Sequence, residues 1–73
     1  MNRTHKTELY LNYYSKPEPD TMIIYSDNST DTENAIEHIA LNNDDIKMIA
    51  VYVDGISTAR LFKYYDGSVQ LFY

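Results

Sequence analysis

From Glu8 to Ser15 apolar and polar positions alternate with a period of two. Leu9, Leu11 and Tyr13 fall on one side and Tyr10, Asn12 and Tyr14 on the other, the pattern of a β-strand with one face covered. Lys16-Pro17-Glu18-Pro19-Asp20 breaks it, because two prolines in three residues remove ladder donors and set a turn. Met22, Ile23, Ile24 and Tyr25 within Thr21 to Ser26 then give a second strand, pairing with the first as a hairpin. The period next changes from two to 3.6. Ala35, Ile36, Ile39 and Ala40 line one side of a helix of about three turns, expected over residues 31–42. Thr30 and Glu33 have the spacing of a capping box. Asn42-Asn43-Asp44-Asp45 ends the helix, since short polar side chains compete there for backbone hydrogen bonds.

Ile46 to Val53 is apolar on both sides, as a central strand should be. Asp54-Gly55 signals a tight hairpin. Ser57 to Tyr65 follows as a strand, with Ala59, Leu61, Lys63 and Tyr65 opposite Arg60, Phe62 and Tyr64. Asp66-Gly67 repeats the turn signal, and Val69 to Tyr73 is the last strand. The expected fold is α+β: a four- to five-stranded antiparallel sheet with one helix on one face, in the order ββαβββ. Residues 1–7 read as a polar N-terminal arm and residues 8–73 as a single domain.

Length and composition narrow what such a domain can do. At 73 residues it buries only about 60% of the surface of its unfolded chain, so a well-made core or a second copy has to sustain it. There is no cysteine, which removes disulfides and thiolate metal sites, and two histidines make a poor zinc site. No metal and no cofactor is expected. The segment Asp27-Asn28-Ser29-Thr30-Asp31 is rich in oxygen ligands but lacks the glycine and distal glutamate of a calcium loop. No apolar run reaches the ~18 residues of a membrane span, and no apolar stretch backs the charged N-terminus as in a signal peptide. A cytoplasmic protein is expected. The net charge of −5 opposes direct contact with nucleic acid or an anionic membrane and favours a basic partner.

The charge is also segregated. Between Lys16 and Lys47 there is no lysine or arginine, while Glu18, Asp20, Asp27, Asp31, Glu33, Glu37, Asp44 and Asp45 make up eight of the eleven acids. Residues 17–46 therefore carry −8 and the remainder +3. Part of this is ordinary: Asp31 and Glu33 suit a helix start, and acids are common in turns. Asp44 and Asp45 at a helix end, and Glu33 beside Glu37 at i and i+4, are unfavourable by a few tenths of a kcal/mol each and point to a partner. The eight tyrosines are the second feature. One helix covers one face of a sheet, and Tyr10, Tyr14, Tyr25, Tyr52 and Tyr64 are candidates for the other, either packed across strands or facing a partner.

His38 lies next to Glu37 on the helix, yet no nucleophile elbow or phosphate loop accompanies it, and both glycines belong to hairpin turns. An enzyme is not expected. The acidic interval 17–46, the helix Thr32-Glu33-Asn34-Ala35-Ile36-Glu37-His38-Ile39 and the strand-turn-strand after it resemble, in architecture alone, small acidic proteins that phages encode to disable host systems. Anti-CRISPR proteins, inhibitors of restriction or repair enzymes and RNA-polymerase inhibitors belong to that class. The resemblance implies inhibition of a basic nucleic-acid-binding host protein, with a CRISPR effector nuclease as leading candidate, by carboxylates placed where DNA phosphates would lie, in the cytoplasm of a host bacterium. The candidate partner-binding residues are Asp27, Asp31, Glu33, Glu37, Asp44, Asp45, Tyr52 and Tyr64. The alternatives are a small homodimeric structural or assembly protein and an antitoxin-like module that neutralises a basic toxin.

Overall fold

The computed structural model describes residues 5–26 and 29–73, with only the backbone of Ser29. Its elements run β1 (His5–Tyr13), β2 (Asp20–Ser26), α1 (Ser29–Leu41), β3 (Ile46–Val53), β4 (Ile56–Lys63) and β5 (Val69–Phe72). The strands form one five-stranded antiparallel sheet in the order β2-β1-β3-β4-β5. The α+β fold and the order ββαβββ are thus as expected, with the doubly apolar strand β3 at the centre. Since β2 and β3 flank β1 and run parallel, α1 is the crossover between them, and it lies over one face of the sheet.

Register shows why the alternation reads as it does. Along the covered face Leu11, Ile49, Leu61 and Leu71 are successive cross-strand partners, and so are Leu9, Val51 and Ala59. From the helix, Ile36 and Ala40 close over these rows. Leu9, Ile36, Ile49 and Leu61 are fully buried, and each stabilises the fold by roughly 1.5–3 kcal/mol relative to an exposed side chain. Thr32, also buried, extends the helix stripe one turn towards its N-terminus.

The two glycine turns have the geometry their sequences demand. Val53 pairs with Ile56 across Asp54 and Gly55, whose φ angles of 51° and 83° are both positive, as a two-residue turn matching the strand twist requires. In the β4–β5 connection Gly67 N–H donates to the Tyr64 carbonyl (3.0 Å) and Tyr64 N–H to the Ser68 carbonyl (2.9 Å), with Gly67 at φ 90°.

Two local expectations need correction, and one burial stands out. Strand β1 begins at His5, inside the supposed polar arm, and Thr7 is buried because it continues the inward row of Leu9 and Leu11. The helix starts at Ser29, so Thr30 lies within it and is not its cap; Glu33 is taken instead by the Tyr73 hydroxyl. Lys63, on the same side of its strand as Ala59 and Leu61, is 8% exposed, which a lysine rarely is. Its Nζ donates to the carbonyls of Ala40 (2.8 Å) and Asn43 (3.0 Å), and so places a cation at the C-terminus of α1 where the helix dipole favours it. Asn42 completes that end by donating its side-chain amide to the His38 carbonyl (2.8 Å), the competition expected of a short polar side chain.

Candidate protein-binding surfaces

The sheet separates the candidate residues into two groups. The acids lie on the helix side and at its two ends, and Tyr52 lies on the opposite, uncovered face. Asp27 falls outside the described residues. Asp31 and Glu37 are exposed on α1, and among the described residues no basic side chain lies within ion-pair distance of Glu37. Glu33 is half-buried and accepts the Tyr73 hydroxyl. That hydrogen bond, with burial and the charges of Glu33 and Glu37, raises the Tyr73 phenol above its ordinary value.

The two acids beyond the helix have structural partners. Asp44 is exposed, 3.7 Å from Lys63 Nζ, so the buried cation offsets its position at the helix end. Asp45 accepts the Ser15 N–H (3.2 Å) and the Ser15 hydroxyl, and its carbonyl accepts the Tyr14 N–H (2.9 Å). It therefore holds the exit of β1 against the entry of β3. Asp20 is paired with Lys16 at 2.8 Å, which lowers its carboxyl below the usual value. The described acids of the interval 17–46 are spread along α1 and beyond its C-terminal end. Asp20, Asp44 and Asp45 lie around the C-terminal end of α1, and Asp31 lies about 15 Å further along the helix.

On the uncovered face the cross-strand row Thr21, Tyr10, Ala50, Arg60 and Phe72 runs over all five strands. Beside it lie the rows Ile23–Glu8–Tyr52–Ser57 and Asn12–Met48–Phe62–Gln70. Tyr10 and Tyr52 meet edge to face with ring centroids 5.3 Å apart, and Phe62 and Phe72 do the same at 5.6 Å. Such pairs contribute about 0.5–1.5 kcal/mol beyond the area they bury. Even so, Ile23 (47%), Tyr25 (65%) and Phe72 (45%) stay open to solvent. Tyr10, Tyr25 and Tyr52 are on this face as expected; Tyr64 sits at its margin, donating its hydroxyl to Gln70 (3.1 Å). Tyr14 is not on it: it follows the end of β1 and stacks on Tyr65 at 5.6 Å.

Sequence reasoning passed over the roles of Lys63 and Tyr73. For Lys63 the signal was present, because the same alternation that buries Ala59 and Leu61 points residue 63 inward. The contact of Tyr73 with Glu33 spans the chain and leaves no local pattern. Among the described residues no helix is long and apolar enough to cross a membrane. Comparison with family models, with curated proteins and with solved structures yields no match.

Proposed function

We propose that this chain is a non-catalytic binding protein that inhibits a nucleic-acid-binding enzyme by occupying its cationic channel. A CRISPR effector nuclease in the cytoplasm of a host bacterium is the leading target. One observation carries the reading: exposed carboxylates stand along α1 and just beyond its end. Asp31, Glu37 and Asp44 are exposed along the helix side, while Lys63, the cation nearest its C-terminal end, is buried beneath it. A partner presenting arginines and lysines meets there a row of exposed carboxylates. Such a row speeds encounter and selects the partner more than it adds affinity. The aromatic sheet face supplies apolar contact of the kind that anchors an interface.

The test is competition. A nucleic-acid enzyme captured from bacterial lysate should be displaced by an oligonucleotide, and its binding should weaken steeply as salt shortens the screening length from about 10 Å at 0.1 M to about 3 Å at 1 M. Reversing Glu37 together with Asp44 to lysine should abolish binding, and reversing Arg60 should not. Binding that ignores both salt and the Glu37/Asp44 reversal refutes the proposal. The uncovered aromatic face favours a second reading, a homodimer built sheet to sheet. Its outcome in the same preparation is self-association without a captured enzyme.

A further inference from the structure

Between the N-terminal half of α1 and the sheet lies a cavity of about 430 Å³. Ile36, Val51, Val53, Ala59 and Leu71 give it apolar walls, the buried Thr7 lies in its lining, and Glu33 and Tyr73 meet across it. We propose that this cavity is a binding site for a small aromatic or aliphatic amine, its apolar body against the walls and its ammonium group on the Glu33 carboxylate. The site shares Glu33 with the candidate acids of the helix, but its walls lie beneath α1 and not on the partner surfaces described above.

Size, lining and charge each contribute. An apolar cavity of about 150 Å³ is enough to hold benzene, so this one accommodates a fused two-ring body with a short arm. Its aliphatic walls give water few hydrogen-bond partners, so an apolar guest displaces it there readily, while Ser26, Thr32 and Thr58 add hydroxyls to the lining. Among the described lining residues there is no lysine or arginine. The cationic candidate, His5, has its Nδ1 2.9 Å from the Asp54 carboxylate. Among the described lining residues Glu33 is thus the carboxylate on offer, with Glu37 one helical turn beyond it, and an amine is favoured over a carboxylate or phosphate. Tyr73 is 82% exposed and held to Glu33 by its hydroxyl, so an incoming ammonium need only take over that contact for the ring to swing aside.

The probes are 2-naphthylmethylamine and 2-naphthoate, titrated separately into the ¹⁵N-labelled full chain. The amine should shift the amide resonances of Thr7, Ile36, Val51, Ala59 and Leu71 saturably, and bind roughly tenfold tighter than the acid, an order set by one charge-assisted contact. Glu33→Gln, which keeps an acceptor for Tyr73 but loses the charge, should bring the two probes to within about threefold of each other. Ala59→Phe should fill the cavity and abolish binding of both; Ala59→Leu serves the same purpose if the larger ring unfolds the chain. Equal binding of amine and acid, saturable shifts confined to Tyr10, Tyr52 and Phe62 on the uncovered face, or no saturable shift with either probe would each overturn the assignment.

Discussion

Replacing Lys63 by methionine isolates the one cation that is buried among the described residues. Methionine keeps most of the aliphatic stem, so the change removes the ammonium group and little packing. Two hydrogen bonds go with it, to the carbonyls of Ala40 at 2.8 Å and Asn43 at 3.0 Å. Bonds from a charged donor stabilise by about 1.5–3 kcal/mol each, and a cation at a helix C-terminus adds about 0.3–1 kcal/mol. Against this stands the cost of desolvating the ammonium, several kcal/mol for a buried ion. The Ala40 carbonyl also keeps a long bond of 3.4 Å from Asn43 N–H, so truncation does not orphan it fully. The net expected loss is about 2–3 kcal/mol, out of the ~4–11 kcal/mol that a domain this size commands.

Urea denaturation followed by far-ultraviolet circular dichroism measures it. With m near 1 kcal/mol/M, the midpoint should fall by about 2–3 M at unchanged m, and the melting temperature by roughly 10–20 °C. Two controls separate capping of the helix from pairing with Asp44. Asp44→Asn should cost little, because that carboxylate is fully solvated, and Arg60→Met should stay within about 0.5 kcal/mol of the parent. A Lys63→Met protein as stable as Arg60→Met would refute the reasoning. So would an Asp44→Asn loss equal to that of Lys63→Met.

Three further outcomes follow from particular residues. The Asp54 carboxyl is held below its ordinary value by the His5 side chain and the Lys6 N–H, so its contribution to stability is present above about pH 4 and is lost as pH falls through its lowered pKa. Asp54→Asn should flatten the acid limb of a melting-temperature profile, and an unchanged limb would show that the pair contributes nothing. Gly55→Val and Gly67→Val should each cost about 1 kcal/mol or more through backbone strain alone, since a Cβ at either position meets nothing within 4 Å; Gly55→Asn should cost less, which urea titration of the three variants checks. If the aromatic face pairs with a second copy, the melting temperature should rise with protein concentration and Phe62→Lys should abolish the rise; a monomer by light scattering with a flat melting temperature excludes it.

The parts of the fold legible in the sequence are those where a single local rule governs. The order of elements follows from the change of hydrophobic period, and β3 is named as central by its two apolar faces. The Asp54-Gly55 and Asp66-Gly67 turns follow from the need for positive φ. Boundaries were less legible because they depend on partners distant in sequence. Thr7 is drawn into β1 by its neighbours Ile24 and Val53, and the helix begins ahead of the residue that capping chemistry alone would choose. The candidate site was read least well. Periodicity says which residues share a face, but not which acids already have a partner within the fold.

That last distinction narrows the acidic surface considerably. Asp20, Asp45 and Glu33 are engaged by Lys16, Ser15 and Tyr73, and spending them on a partner would loosen the β1–β2 connection, the entry to β3 or the mouth of the cavity. The repulsion expected of Asp44 at the helix end is relieved from beneath by Lys63, so its presence there no longer requires an external cation. Glu37 is different. Four residues from Glu33, with no basic group within ion-pair distance among the described residues, it brings the fold a small electrostatic cost and no compensating contact. A carboxylate with a structural role should lower stability when it is removed. One retained for a partner should leave stability unchanged or raise it, and weaken binding. Glu37→Gln and Asp45→Asn, measured side by side for unfolding and for target binding, should therefore move in opposite directions. If Glu37→Gln destabilises the chain as Asp45→Asn does, the acidic helix side is a product of folding and the aromatic face takes its place as the binding surface.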